Sequence, residues 1–234
     1  MTVVEQKFWV IIPAAGIGTR MNTDCPKQYL SLNGKTVLEQ TLDCFIHHSR
    51  ISGVVVAISE HDQYWSKLHF KTERPVMTVK GGEERCHSVL NAMKGLSEFA
   101  EDEDWVLVHD AARPCLHKDD LDKLLITMAT HPVGGLLGSP VHDTIKKIDS
   151  VNVVEETVDR EYLWRALTPQ MFRYGMLRDA LSNALNDGYL VTDDASAIEH
   201  AGYAPLMLEG GADNIKITRP EDLALAEFYL SQRK

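Results

Sequence analysis

Arg20 and Lys27 stand a few residues apart in the stretch "PAAGIGTRMNTDCPKQYL", directly after the apolar run "FWVII". Two cations this close suit a polyphosphate, the arginine as a planar fork and the lysine as a mobile point charge. Gly16 and Gly18 let the backbone adopt unusual dihedrals and turn N–H groups toward an anion. Pro26 restricts the chain leading into Lys27. The loop is not a dinucleotide fingerprint, because Met21 stands where a third glycine belongs, and no Gly-Lys-Ser/Thr closes it as a P-loop.

Three further stretches carry candidate chemistry. In "KGGEERCHSVLNAM", Gly81 and Gly82 follow a strand pattern, and Arg85 and Ser88 fall in the first turns of the next helix, whose N-terminus favours an acceptor-rich ligand. Alone, that stretch reads as an ordinary strand-to-helix turn. In "WVLVHDAARPCL", Asp110 ends the most hydrophobic run, flanked by His109 and Arg113. A carboxylate there either bonds neighbouring loops or holds Mg²⁺, which takes one or two carboxylates plus substrate phosphates. With polyphosphate chemistry next door, the metal is the better reading. In "EGGADNIKITRPEDL", Asp213 and Lys216 are placed on or beside a short strand. Lys216 joins the anion pocket, and Asp213 reads either as a second metal ligand or as its charge partner.

The elements that must position these residues follow from pattern. The 234 residues are 44% hydrophobic and 25% charged, enough for one large domain with an embellishment. Short β-branched runs, "WVIIPA", "GVVVAIS", "PVMTV", "WVLVHD" and "GGLLGSPV", read as buried strands. Helical spacing runs from Val37 to His47, Glu84 to Leu96 and Lys118 to His131. Thr218 and Glu221 read as the capping box of a C-terminal helix with Pro220 in its first turn. Strands alternating with helices predict an α/β fold, Rossmann-like, with a mostly parallel sheet and helices on both faces. One segment breaks the rhythm: "DTIKKIDSVNVVEETVDR" reads as an antiparallel hairpin turning at Asp149 to Asn152, with Thr144 and Arg160 opposite each other at its open end. This β-arm, at about 141–163 of a single 1–234 domain, buries little alone and is expected to pack on a partner chain.

Composition excludes several classes. The net charge of −10, with no basic stripe, argues against nucleic acid. No apolar run approaches ~18 residues, so no membrane span is expected, and "MTVVEQKFWV" reads as the start of a mature cytoplasmic protein. Four cysteines lie far apart without C-x-x-C spacing, and ten histidines show no H-x-x-x-H pattern, so neither zinc nor a disulfide framework is expected.

Taken in order, "PAAGIGTRM", "PKQYL", "GGEER" with "SV" two residues on, "VHDAARP", "DTIK", "TVDR", "LTPQ", "TDDASA" and "DNIKITRPEDL" closely resemble the 2-C-methyl-D-erythritol 4-phosphate cytidylyltransferases of non-mevalonate isoprenoid synthesis. The resemblance runs from Val10 to the C-terminal helix. It implies a nucleotidyltransferase that joins CTP to a sugar-alcohol phosphate with Mg²⁺ and releases pyrophosphate. It implies that the loop from Ala14 and Ala15 through Gly16 and Gly18 to Arg20 wraps the triphosphate, with Lys27 reaching the phosphates. Gly82, Glu83 and Ser88 would contact cytosine, supported by Arg85, and Asp110 would serve the metal and ribose side. Thr144, Arg160, Thr168 and Thr192 would hold the acceptor, Arg113 and Lys216 would complete the cation set, and the arm would cross to a neighbour in a homodimer. Glu83 stands where an aspartate is more usual, which bears on nucleotide choice. A ribitol 5-phosphate cytidylyltransferase, or a silent nucleotide-binding regulator, are the alternatives. Nothing after Lys234 supplies the fused cyclase domain of bifunctional relatives, so that second activity is not expected.

Overall fold

The computed structural model of the chain describes residues 6–16 and 25–233, so Gly18 and Arg20 lie outside the described residues. After β1 (Phe8–Pro13) comes a short antiparallel pair, β2 (Ser31–Leu32) and β3 (Lys35–Thr36), leading into α1 (Val37–Ile46). There follow β4 (Gly53–Ile58), β5 (Val76–Lys80), α2 (Arg85–Gly95), β6 (Trp105–Val108), α3 (Lys118–Met128) and β7 (Gly134–Pro140). All five apolar runs read from the sequence become strands. The rest of the chain holds β8 (Ile145–Ile148), β9 (Val154–Val158), β10 (Trp164–Arg173), α4 (Tyr174–Asn186), α5 (Asp194–His200), β11 (Leu206–Glu209) and α6 (Pro220–Ser231).

The seven-stranded sheet has the order β11-β7-β10-β6-β1-β4-β5. Every neighbouring pair is parallel except the two made by β10, which runs antiparallel between β6 and β7. Alternation along β1 shows why both faces are covered. Phe8, Val10 and Ile12 pack with Leu38, Leu42 and Phe45 of α1 and Leu121, Leu124 and Leu125 of α3. Trp9 and Ile11 point the other way, among Val89, Ala92 and Met93 of α2 and Leu177 and Leu181 of α4. Burying each large apolar side chain is worth about 1.5–3 kcal/mol, so a strand apolar at every position is stable only between two helical layers.

Local signals set the element ends. Thr36 and Glu39 cap α1 reciprocally, with Glu39 N–H donating to Thr36 Oγ1 at 3.1 Å and Thr36 N–H to Glu39 Oε2 at 2.7 Å. The sequence reading of the C-terminal cap is corrected. The helix begins at Pro220, so Arg219 is the N-cap, and Asp222 rather than Glu221 accepts from the Thr218 and Arg219 N–H groups at 2.8 and 2.9 Å. The strand expected around "DNIKIT" is also corrected: β11 lies earlier, and Asp213 and Lys216 sit in the irregular segment between it and α6.

The hairpin forms as read. β8 and β9 pair antiparallel, Ile145 opposite Val158, and Asp149 Oδ1 accepts from the N–H groups of Val151 and Val153 at 2.9 and 2.8 Å. Asn152 takes the left-handed conformation the turn needs, at φ 67°. The arm leaves Val151, Val153, Val154 and Tyr162 exposed, Tyr162 to 84%.

Candidate active site

The carboxyl ends of parallel strands are where an open α/β sheet binds ligands, and the candidate residues gather there. The β10–β6 register pairs Gln170 with Val108, which carries Thr168 to a position facing Asp110. Asp110 N–H donates to Thr168 Oγ1 at 3.1 Å. Two adjoining clefts open around Asp110, of about 200 and about 310 Å³. Ala14, Ala15, Gly16, Lys27, Gly82, Glu83, Arg85 and Ser88 line the first, and Arg113, Thr168 and Thr192 line the second. Arg85, Asp110 and Lys216 border both.

Asp110 is the electrostatic centre. Oδ1 meets Arg85 Nε at 3.1 Å, while Oδ2 meets Arg113 Nε at 3.2 Å and Lys216 Nζ at 3.0 Å. Burial would raise its pKa, but Arg85, Lys216 and Arg113 outweigh that and hold the carboxyl far below the ordinary range. Arg85 reaches on to Asp194, a fully buried carboxylate at the start of α5, at 2.8 Å. Burial pushes the Asp194 carboxyl up, against the pull of Arg85. Arg113 Nη1 is anchored on the Asn214 carbonyl at 2.7 Å, and Asn214 Nδ2 donates to the Thr168 carbonyl at 2.8 Å. Lys27 Nζ donates to the Ile217 carbonyl at 2.9 Å. Three cations, Arg85, Arg113 and Lys216, meet the single carboxylate of Asp110, a local excess of positive charge suited to a polyanion.

The glycines after β5 allow a close approach. A Cβ on Gly81 would meet the Ala15 Cβ at 2.3 Å, and one on Gly82 would meet the His87 Cβ at the same distance, so the turn after β5 lies against both the loop after β1 and the first turn of α2 only because these two residues lack side chains. Ser88 braces this turn: its Oγ accepts from Gly82 N–H at 3.0 Å and lies 3.2 Å from the Glu84 carbonyl. Glu83 is exposed at the cleft rim.

Three expected residues are not brought here. Thr144 and Arg160 are exposed on the arm, and Arg160 Nη1 donates to the His142 carbonyl. Asp213 lines neither cleft. Its carboxylate meets His117 Nε2 at 2.5 Å and Arg233 Nη2 at 3.0 Å, so its charge partner is Arg233 and not Lys216. The sequence reading missed Gln28, whose Nε2 donates to the carbonyls of Ala14 and Gly16 at 2.7 and 3.1 Å and so holds the glycine loop, and Asp194, which holds Arg85. Both lie within the quoted motifs "PKQYL" and "TDDASA", but neutral amides and paired acids carry no chemical signature of their own.

The site fits a magnesium ion in one way. Among the described residues, Asp110 Oδ1 accepts from Arg85 alone and keeps a lone pair, whereas Oδ2 already serves two cations. One carboxylate oxygen is what Mg²⁺ needs from protein when phosphates supply the rest.

His109, fully buried, sits beside Asp110 with its pKa lowered to about 4, chiefly by burial. The unfolded imidazole, at about 6.5, protonates first as pH falls, so the stability of the neutral buried form is complete above that value and is lost progressively down to about 4. We expect unfolding free energy to drop by about 3 kcal/mol across that window from this group, at roughly 1.4 kcal/mol per pH unit. Urea unfolding at stepped pH measures it; an equal slope in a folded His109→Gln variant would refute the assignment.

Comparison with known proteins shows the family. The family model described as 2-C-methyl-D-erythritol 4-phosphate cytidylyltransferase (IspD) matches residues 8–232. A 2-C-methyl-D-erythritol 4-phosphate cytidylyltransferase of Pseudomonas entomophila (strain L48) is 55% identical over 224 residues, 95% of each chain. One of Vibrio vulnificus (strain CMCP6) is 50% identical over 224 residues, 96% of this chain and 94% of that one. The crystal structure of the Francisella tularensis enzyme superposes with a TM-score of 0.83 at 38% identity, covering 96% of this chain and 100% of that one.

Proposed function

From the premise that the chain belongs to the 2-C-methyl-D-erythritol 4-phosphate cytidylyltransferase family of nucleotidyltransferases, we propose that it joins CTP to 2-C-methyl-D-erythritol 4-phosphate, forming the cytidine diphosphate alcohol and releasing pyrophosphate. The observation that carries the reading is the cation cluster about Asp110, bordering two adjoining clefts at the carboxyl ends of the strands.

The mechanism rests on positioning and charge. A phosphate monoester oxygen of the acceptor is already anionic at neutral pH and needs no strong general base. The protein must bring two repelling anions into line and stabilise charge gathering on the α-phosphate and departing pyrophosphate. Lys27 faces the first cleft beside the glycine loop, and Arg113 and Thr192 face the second. Lys216 borders both, at the junction where the acceptor phosphate and the α-phosphate would meet. Asp110 keeps these cations spaced and oriented. Magnesium, held by Asp110 Oδ1 and the triphosphate, would supply Lewis-acid charge neutralisation.

The exposed apolar residues of the arm support a homodimer in which Thr144 and Arg160 serve the neighbouring site, since neither reaches the clefts of its own chain. Among the described residues no helix is long and apolar enough to cross a membrane. The net charge of −10 favours neither nucleic acid nor an anionic membrane surface, and the free thiols of Cys44, Cys86 and Cys115 suit the reducing cytoplasm.

Pyrophosphate release with CTP, Mg²⁺ and methylerythritol phosphate, with ribitol 5-phosphate and ATP as controls, tests the reading. Release confined to CTP with methylerythritol phosphate, abolished by chelation, in a species that sediments as a dimer, is the expected result. Release with ribitol 5-phosphate instead would overturn the acceptor, and release with ATP the base preference.

A further inference from the structure

Outside the cation cluster, the start of α2 gathers three side chains of a different kind. Glu84, Cys86 and His87 each bring one ligand atom to a common place. The carboxylate oxygen, the thiol sulfur and an imidazole nitrogen all lie within 4.8 Å of one another. Glu84 Oε2 and Cys86 Sγ are 3.7 Å apart. A tetrahedral zinc ion with bonds of about 2.0–2.3 Å holds its ligands about 3.4–3.6 Å from each other. The carboxylate and the sulfur therefore already stand near ligand spacing, and closing the imidazole onto them takes a shift of about 1 Å. The backbone beneath is set by the helix. Glu84 is the N-cap of α2 and its carbonyl accepts from Ser88 N–H at 3.1 Å, yet its side chain makes no capping bond and stays available. No C-x-x-C or H-x-x-x-H spacing announces this group, because it has one cysteine, one histidine and one acid within four residues.

We propose that Glu84, Cys86 and His87 form a binding site for Zn²⁺, separate from the magnesium position at Asp110. The donor set decides the metal. Thiolate and imidazole suit a borderline-soft ion, whereas Mg²⁺ takes oxygen ligands in an octahedron. Three protein ligands leave the fourth tetrahedral position to water. Binding turns the Cys86 thiol into a thiolate, and its proton passes to solvent. The place of the site gives it a bearing on the nucleotide cleft. Glu84 lines that cleft, Arg85 between the ligands reaches Asp110, and the His87 Cβ is the atom that a side chain on Gly82 would strike. An ion held here ties one turn of the cleft wall to the helix behind it. The site stands independently of the cytidylyl-transfer reading, so zinc binding and pyrophosphate release succeed or fail separately.

The test titrates chelator-treated protein with Zn²⁺ alone against a chromophoric zinc indicator, and with Co²⁺ alone, whose bond to a thiolate adds a near-ultraviolet charge-transfer absorption. Tight binding of one zinc per chain that excess Mg²⁺ does not displace is expected, and a cobalt spectrum that carries the thiolate band. Cys86→Ser should abolish the band. His87→Asn and Glu84→Gln should each weaken zinc by at least about 100-fold, since losing even a group that merely supports a ligand costs 10–100-fold. Cys25→Ser and Cys44→Ser, which alter thiols outside the group, should bind as the unaltered chain does. Circular dichroism confirms that each variant is folded. If Cys86→Ser does not fold, His87→Asn and Glu84→Gln carry the test, for both alter side chains that are not buried. Absence of tight zinc binding, affinity that survives both His87→Asn and Glu84→Gln, or a thiolate band that disappears with Cys25→Ser or Cys44→Ser overturns the site. Displacement of the zinc by Mg²⁺ overturns the choice of metal.

Discussion

Replacing Lys27 by alanine lowers turnover by roughly two to three orders of magnitude, the usual cost of one preorganised group aimed at developing charge, and lowers Tm by no more than a few degrees. Lys27 stands at the start of a single 3-10 turn at the mouth of the first cleft, with its ammonium held 2.9 Å from the Ile217 carbonyl. That bond contributes about 1 kcal/mol to folding, so stability barely changes. On the proposed mechanism the same ammonium would meet phosphate oxygens whose charge rises toward the transition state. Steady-state kinetics and a thermal melt on one preparation separate the two effects. Unaltered turnover in a folded variant would remove Lys27 from the machinery.

Asp110→Asn is expected to add to its loss of turnover a stability loss large enough to see without any substrate. The substitution preserves volume but leaves Arg85, Arg113 and Lys216 facing an uncharged amide. Breaking a buried ion pair by removing one partner costs roughly 3–5 kcal/mol. The Lys216 side chain is 41% exposed and solvates readily, which places the estimate at about 3 kcal/mol. For a chain of this size that is a Tm lower by roughly 6–12 °C. The pH dependence has a definite sign. Because the folded carboxyl titrates below the unfolded one, its contribution is complete above about pH 3.9 and is lost as pH falls below it. The gap between the two proteins should therefore close in acid, and a gap that widens there would contradict the cation cluster as its source.

Legibility followed the strength of local signals. β1, β4, β6 and β7 are short, apolar and bounded by turns, and they were readable because burial on both faces demands such residues. β10 was not. Its sequence "WRALTPQMFR" mixes arginine, threonine and glutamine with a proline, and its pairing with β7 shifts register between Ala166 and Gln170 to pass that proline. Its residues are dictated by the cleft it borders, not by the pleat. α4 did carry a signal, in Leu177, Ala180, Leu181 and Ala184 at three- and four-residue spacing, whereas α5 is too short for periodicity to speak. Within the site, the charged residues announced themselves. The groups that orient them, Gln28, Asp194 and His109, act through pairings fixed only by tertiary contact.

The cations gathered on Asp110 come from very different points along the chain. Arg85 precedes it, Arg113 follows at once, but Lys216 and the Asn214 carbonyl that steadies Arg113 lie far along the chain, between β11 and α6. At ordinary elongation rates, roughly 5–20 s separate synthesis of Asp110 from that of Lys216. During that interval the nascent chain already has β1, β4, β5 and β6, yet lacks the charge that closes the phosphate pocket. The charge balance of the pocket is therefore set late in synthesis, by a contact that spans more than a third of the chain.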